Sequence, residues 1–98
     1  MAGGGSGTTM YVVAYDISDD RRRTKVYKIL SGFGEWTQYS VFECHLRPKE
    51  WLLLQSRLEE HLKPAEDSVR FYPLCSRCMS RVETVGSEPP QERKVYIV

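Results

Sequence analysis

A small α+β sandwich is predicted by three features of the chain. These are a nearly continuous apolar run at residues 10–17, two amphipathic helical stripes further on, and β-rich segments following each stripe. The 98 residues suffice for one domain but not two, and a domain of that size has a limited core. Association with a second copy would therefore add useful buried surface. A hydrophobic content of 41% with 28% charged residues fits an ordinary globule.

The run "MYVVAYDI", residues 10–17, is rich in Val and Tyr and suits a central strand. Ser18 or Asp19 then offers an N-cap, and acids in the first turn suit the positive end of a helix. Val26, Ile29, Leu30 and Phe33 recur at helical spacing, so 19–33 is predicted as an amphipathic helix with Gly32 and Gly34 at its end. Alternation in "WTQYSVFECHL", 36–46, predicts one bent strand or two short ones broken near Tyr39 and Ser40.

Pro48 suits a helix start, and Trp51, Leu54, Leu58 and Leu62 carry a stripe to about Lys63, where Pro64 stops it. "SVRFYPLC", 68–75, is another predicted strand, and "SRVETVG", 80–86, a weaker one. The order βαββαβ, with both helices on one face of a mainly antiparallel sheet, makes a ferredoxin-like sandwich the natural expectation. Extra C-terminal strands would then need an edge to pair with, and in a small protein that edge can belong to another copy.

The expected division is a flexible Gly-rich leader at 1–9, a domain at 10–86, and a linker with a β-prone tail at 87–98. "MAGGGSGTTM" lacks the charged start and apolar core of a signal peptide, and no apolar run approaches the roughly 20 residues of a membrane span. A cytoplasmic protein is the default expectation. Three cysteines, Cys44, Cys75 and Cys78, do not suggest a secreted disulfide framework.

A net charge of +1 does not mark a nucleic-acid binder, but the charge is unevenly placed. Residues 19–28 hold two acids against five bases, and residues 49–67 hold five acids against three. Such polarity can steer a polyanion to one face, although a solvated helix surface is the commoner cause.

Asp16 is the sharpest residue, an acid at the carboxyl end of an apolar strand. Oxygen ligands suit Mg²⁺, which takes one or two carboxylates and keeps several waters. One acid per chain is thin for a nuclease; a two-fold axis beside the strand end would supply a second. The plainer alternative is an aspartate that organises the turn. Arg21, Arg22, Arg23 and Lys25 crowd the first turns of that helix and cannot all share a face. As phosphate contacts they would be blind to sequence. "CSRC" has the spacing of half a zinc site, with no second pair to complete it, so free thiols buried in a turn are expected. His45 is a lone acid/base candidate on a β segment.

Three blocks in order, "YDI" at a first-strand end, "GFG…QYSVFE" and "VRFYPLC", closely resemble the CRISPR-associated endonuclease two (Cas-two) family over roughly residues 10–86. The resemblance implies a ferredoxin-like homodimer whose C-terminal region crosses to the partner's sheet. It also implies an endonuclease dependent on Mg²⁺, or Mn²⁺ in its place, acting on single-stranded RNA or double-stranded DNA in spacer acquisition for antiviral defence. Asp16 would be the metal ligand and catalytic carboxylate, Phe42 a further catalytic residue, and Arg22, Arg23 and Lys25 the nucleic-acid contacts. The implied partners are a second copy, the CRISPR integrase subunit, and DNA or RNA held by its backbone, with no membrane. A non-catalytic architectural subunit that clasps duplex DNA and bridges integrase dimers is the alternative. Where some relatives carry a basic residue before "QYSVFE", this chain has "EWTQ", which removes one basic contact.

Overall fold

A computed structural model describes residues 7–86. The elements are β1 (Thr9–Asp16), α1 (Asp20–Ser31), β2 (Glu35–Gln38), β3 (Val41–Leu46), α2 (Pro48–Glu59), β4 (Ser68–Leu74) and a one-turn helix α3 (Ser76–Met79). The four strands form one antiparallel sheet in the order β2-β3-β1-β4. Residues 1–6 of the expected leader, and the linker and tail at 87–98, lie outside the described residues. None of the described helices is long and apolar enough to cross a membrane.

β1 is central because its apolar residues fill both sides of the ladder. Tyr11, Val13 and Tyr15 pair with Cys44, Phe42, Pro73, Phe71 and Val69 on the strands alongside, and together they face the helices. Val13, Phe42, Cys44, Val26, Leu30 and Leu54 are fully buried there. Full burial is worth about 1.5–3 kcal/mol for a large apolar side chain. Tyr11, Trp51 and Phe71 add an aromatic cluster that ties α2 to β1 and β4: Tyr11 stacks on Trp51 at 4.6 Å, and Phe71 meets Trp51 edge-on at 4.5 Å. The opposite face of the sheet, with Val12, Ala14 and Asp16 along β1, has neither α1 nor α2 against it.

Local chemistry explains the helix bounds. The Asp19 carboxylate accepts from the Arg22 backbone N–H at 2.9 Å, capping α1. Glu50 reaches back to accept from the Arg47 N–H at 2.7 Å, and Pro48 opens α2. The predicted helix to Lys63 ends earlier, at Glu59.

The expected strand at 80–86 is absent. A short helix capped by Cys75 intervenes, and Val82 and Val85 are exposed in a segment without regular structure. Cys75 and Cys78 are exposed free thiols, not the expected buried ones, because α3 has little apolar surface to bury them with.

Gly34 is required by close approach. A Cβ there would lie 2.8 Å from the Cys44 Cα and collide with the Glu43 carbonyl, so only hydrogen lets the chain turn from α1 into β2 over β3. Gly34→Ala is expected to destabilise the fold by about 1–3 kcal/mol, the cost typical of overpacking. Chemical denaturation of the two proteins measures it, and equal midpoints would show that β2 yields freely.

Candidate functional site

The carboxyl end of β1 gathers the candidate chemistry. Asp16 is exposed and pairs across the ladder with Ser68. The next residue, Ile17, is buried at 4% exposure and anchors the chain as it leaves the sheet. Arg23 returns from the first turn of α1 to hold this exit: its Nη1 donates to the Ile17 carbonyl at 2.9 Å and the Ser18 carbonyl at 3.1 Å. The same guanidinium pairs with Asp20 through Nη2. A charge-assisted clamp of this kind fixes the backbone that presents Asp16.

The tip of the β2–β3 hairpin, Tyr39 and Ser40, sits against the same strand end. The Tyr15 N–H donates to the Ser40 carbonyl at 3.0 Å. The Tyr15 ring lies in the core at 6.3 Å from Phe42, and burial raises its phenol above the usual value, partly offset by a hydrogen bond with the Ser40 side chain. Tyr39 has φ +43°, a left-handed backbone that costs a non-glycine residue roughly 1–2 kcal/mol. Its carbonyl accepts from the Trp36 indole N–H at 2.8 Å.

Two residues expected at the site lie elsewhere. Phe42 is 0% exposed, wedged between Tyr15 and the edge-on ring of Tyr27 at 5.3 Å, so no substrate can touch it. It acts by packing under the residue that precedes Asp16. Arg22 turns inward: Nε donates to Asp67 Oδ2 at 2.7 Å and Nη2 to Asp67 Oδ1 at 3.1 Å and Glu66 at 3.0 Å. That bidentate pair ties α1 to the loop before β4, and its charge is neutralised there. Arg21, Lys25 and Lys28 remain exposed.

Among the described residues, no three His, Cys, Asp or Glu side chains come together. A hard cation at this end would rest on the Asp16 carboxylate, which fits the one or two carboxylates that Mg²⁺ takes alongside its waters. The thiols offer nothing comparable. Burial pushes Cys44 up to about 11, and Cys75, whose Sγ accepts from the Cys78 N–H at 3.4 Å, is lowered by that bond but stands on α3, outside the β1 exit. His45, paired with Met10, sits at the far end of the sheet from Asp16.

Residues 9–82 match the family described as CRISPR associated protein Cas2. The chain belongs to the Cas2 family. A CRISPR-associated endoribonuclease Cas2 of Synechocystis sp. is 49% identical over 81 residues, covering 83% of this chain and 87% of the relative. A crystal structure of Streptococcus pyogenes Cas2 has a TM-score of 0.70 at 35% identity, covering 79% of this chain and 99% of that one. A chain of a partial Cas6-RT-Cas1–Cas2 complex shares the fold, with a TM-score of 0.72 at 24% identity over 92% of this chain and 98% of that one.

Asp67 is the residue of this Cas2 chain that sequence reasoning missed. It is buried, accepts from the Lys63 N–H at 2.9 Å as well as from Arg22, and lies in "KPAED", which reads as a solvated turn. The Arg22 hydrogen bond, then the Lys63 N–H, hold its carboxyl below the usual carboxylate range. A lowered folded-state value stabilises the protein above the unfolded pKa, and that stability is lost as pH falls through the folded one. Asp67→Asn is therefore expected to be less stable than wild type at pH 7, with the gap closing below about pH 4. Urea unfolding across that range measures it; a gap independent of pH would mean that shape, not charge, matters at this position.

Proposed function

We propose that this chain acts as a dimeric, metal-dependent phosphodiesterase of CRISPR adaptation, cutting single-stranded RNA or double-stranded DNA. The observation that carries the reading is Asp16, exposed at the end of the central strand with its following carbonyls clamped by Arg23. Relatives named endoribonucleases and endonucleases support it. So does the strand order β2-β3-β1-β4, which we read as ferredoxin-like.

The open face of the sheet supports a second copy as partner. Val12 and Ala14 are half-buried on it, and Tyr72, directly across from Val12, is 47% exposed. Covering these residues with the same face of another chain would bring two Asp16 carboxylates towards the two-fold axis. The Asp16 carboxylates would hold Mg²⁺, or Mn²⁺ in its place, and the cation would supply an acidified water and neutralise charge on the phosphate. Arg23 keeps each carboxylate presented, Phe42 and Tyr15 hold the strand end rigid, and Lys25 meets phosphates from the exposed side of α1.

The exposed bases of α1 favour a second reading as well, an architectural subunit that clasps duplex DNA and bridges an integrase. The chain of similar fold in an assembly with Cas1 is consistent with that role. The two readings separate on one variant. Asp16→Asn keeps size but loses the charge that holds a hard cation. It is expected to abolish Mg²⁺-dependent cleavage while leaving dimer and binding intact. Undiminished cleavage by the purified variant would remove Asp16 from catalysis, and an inactive wild type that still binds duplex and integrase would leave the architectural role.

Binding is expected to be backbone-driven and salt-sensitive. Neutralised phosphates release counterions, so Arg21→Ala with Lys25→Ala should weaken all sequences alike and flatten the salt slope by about one unit per lost contact. Arg22→Ala, which removes an internal ion pair, should instead lower the melting temperature. An unchanged slope in the first variant would make that face a solvated surface only.

A further inference from the structure

We infer that Tyr39 is a stacking platform for an unpaired nucleobase, placed on the hairpin tip beside Asp16. The inference rests on the nucleic-acid reading of that strand end and names what the site takes there: a single strand, held by a base as well as by its phosphates. Tyr39 is 86% exposed, the most exposed aromatic ring among the described residues. A two-residue hairpin connection with positive φ at its first position is ordinarily given to glycine. Here that position has φ +43° and carries a tyrosine. A bulky residue in this backbone region is a true outlier, and such outliers concentrate at functional sites.

Among the described residues nothing depends on the ring, which stands 86% exposed. The two bonds that fix the tip use backbone groups, the Tyr39 carbonyl accepting from the Trp36 indole and the Ser40 carbonyl accepting from the Tyr15 N–H. Glycine would make both and relieve the backbone. The ring is thus held outward on a tip that is itself rigid. The second of those bonds ties the tip to the residue before Asp16, so a base stacked on Tyr39 would lie at the same end of the sheet as the carboxylate. Stacking is tolerant of sequence because every base has a π-face, and it needs a base that is not paired. The surface therefore selects single strands, or the frayed end of a duplex, over duplex interior.

The test uses the full chain in chelator, where metal-dependent cleavage is off, and 2-aminopurine placed in a single strand of about ten nucleotides, as RNA and as DNA, and inside a blunt duplex. Wild type is expected to quench the single-stranded probe, whichever sugar binds tighter, and to leave the duplex-interior probe bright. Tyr39→Phe should keep both quenching and affinity. Tyr39→Gly should lose the quenching and bind single strands about ten-fold more weakly, the loss typical of one stacked base, while melting at the same or a higher temperature and remaining dimeric.

The inference fails if Tyr39→Gly quenches and binds as wild type does, or if wild type binds no single strand. It also fails if the variant's loss of affinity comes with loss of the dimer, which would make the ring a contact between copies. Cleavage that still depends on Asp16 alongside any of these results would overturn the stacking role alone. Intact stacking with cleavage that ignores Asp16 would overturn only the role given to Asp16.

Discussion

The central strand must satisfy two different surroundings at once, and the rest of the molecule follows from how it does so. β1 is hydrogen-bonded on both sides, by β3 and β4, so its backbone is fully committed and only its side chains remain to be placed. Period-two alternation sends Tyr11, Val13 and Tyr15 under the helices and leaves Val12, Ala14 and Asp16 on the other side. A one-residue slip would put Asp16 into the core and Tyr15 on the surface. The register therefore fixes the fold and the exposure of the candidate carboxylate in a single step.

The basic cluster after β1 does less for ligand binding than its composition implies. Arg22 is bound into Asp67 and Glu66, and Arg23 is turned towards the carbonyls of Ile17 and Ser18 and the carboxylate of Asp20. Two of the three consecutive arginines thus position the protein's own chain. The cations of α1 left to meet phosphate are then Arg21, Lys25 and Lys28, all exposed. The two inward arginines also give α1 two distinct moorings, one to the β1 exit and one to the loop before β4, where packing alone would leave it free to slide.

Much of this was legible in the sequence, and the failures have separate causes. The strands at 10–17 and 68–75, both helices and the break near Tyr39 follow from spacing and turn residues, which are local signals. The position of Asp16 at an exposed strand end was legible because an acid closing an apolar run marks where the strand leaves the core. Long-range pairing was not legible: nothing near Arg22 announces Asp67, which is 45 positions away. Phe42 shows a different limit: its catalytic role was carried over from the family resemblance, whereas its alternation with Glu43 and His45 already marked the buried face. The strand expected at 80–86 failed because the α3 turn at 76–79 leads the chain off the sheet before that segment, and β-propensity alone does not supply a pairing partner.

Two backbone exceptions flank β2, and they are resolved in opposite ways. At Gly34 the constraint is space, since any Cβ meets Cys44 and Glu43, and the chain uses the residue that fits. At Tyr39 the constraint is the left-handed φ, for which glycine again is the easiest answer, yet a large aromatic stands there fully in solvent. The first choice follows from folding alone. The second runs against local preference, and among the described residues the ring makes no compensating contact. Sequences that break a local rule without a packing gain do so most often where something outside the chain is to be bound. The hairpin tip meets that description, and the Tyr15–Ser40 backbone bond puts it at the same strand end as the exposed Asp16, which is why the stacking proposal and the metal proposal concern one end of the sheet.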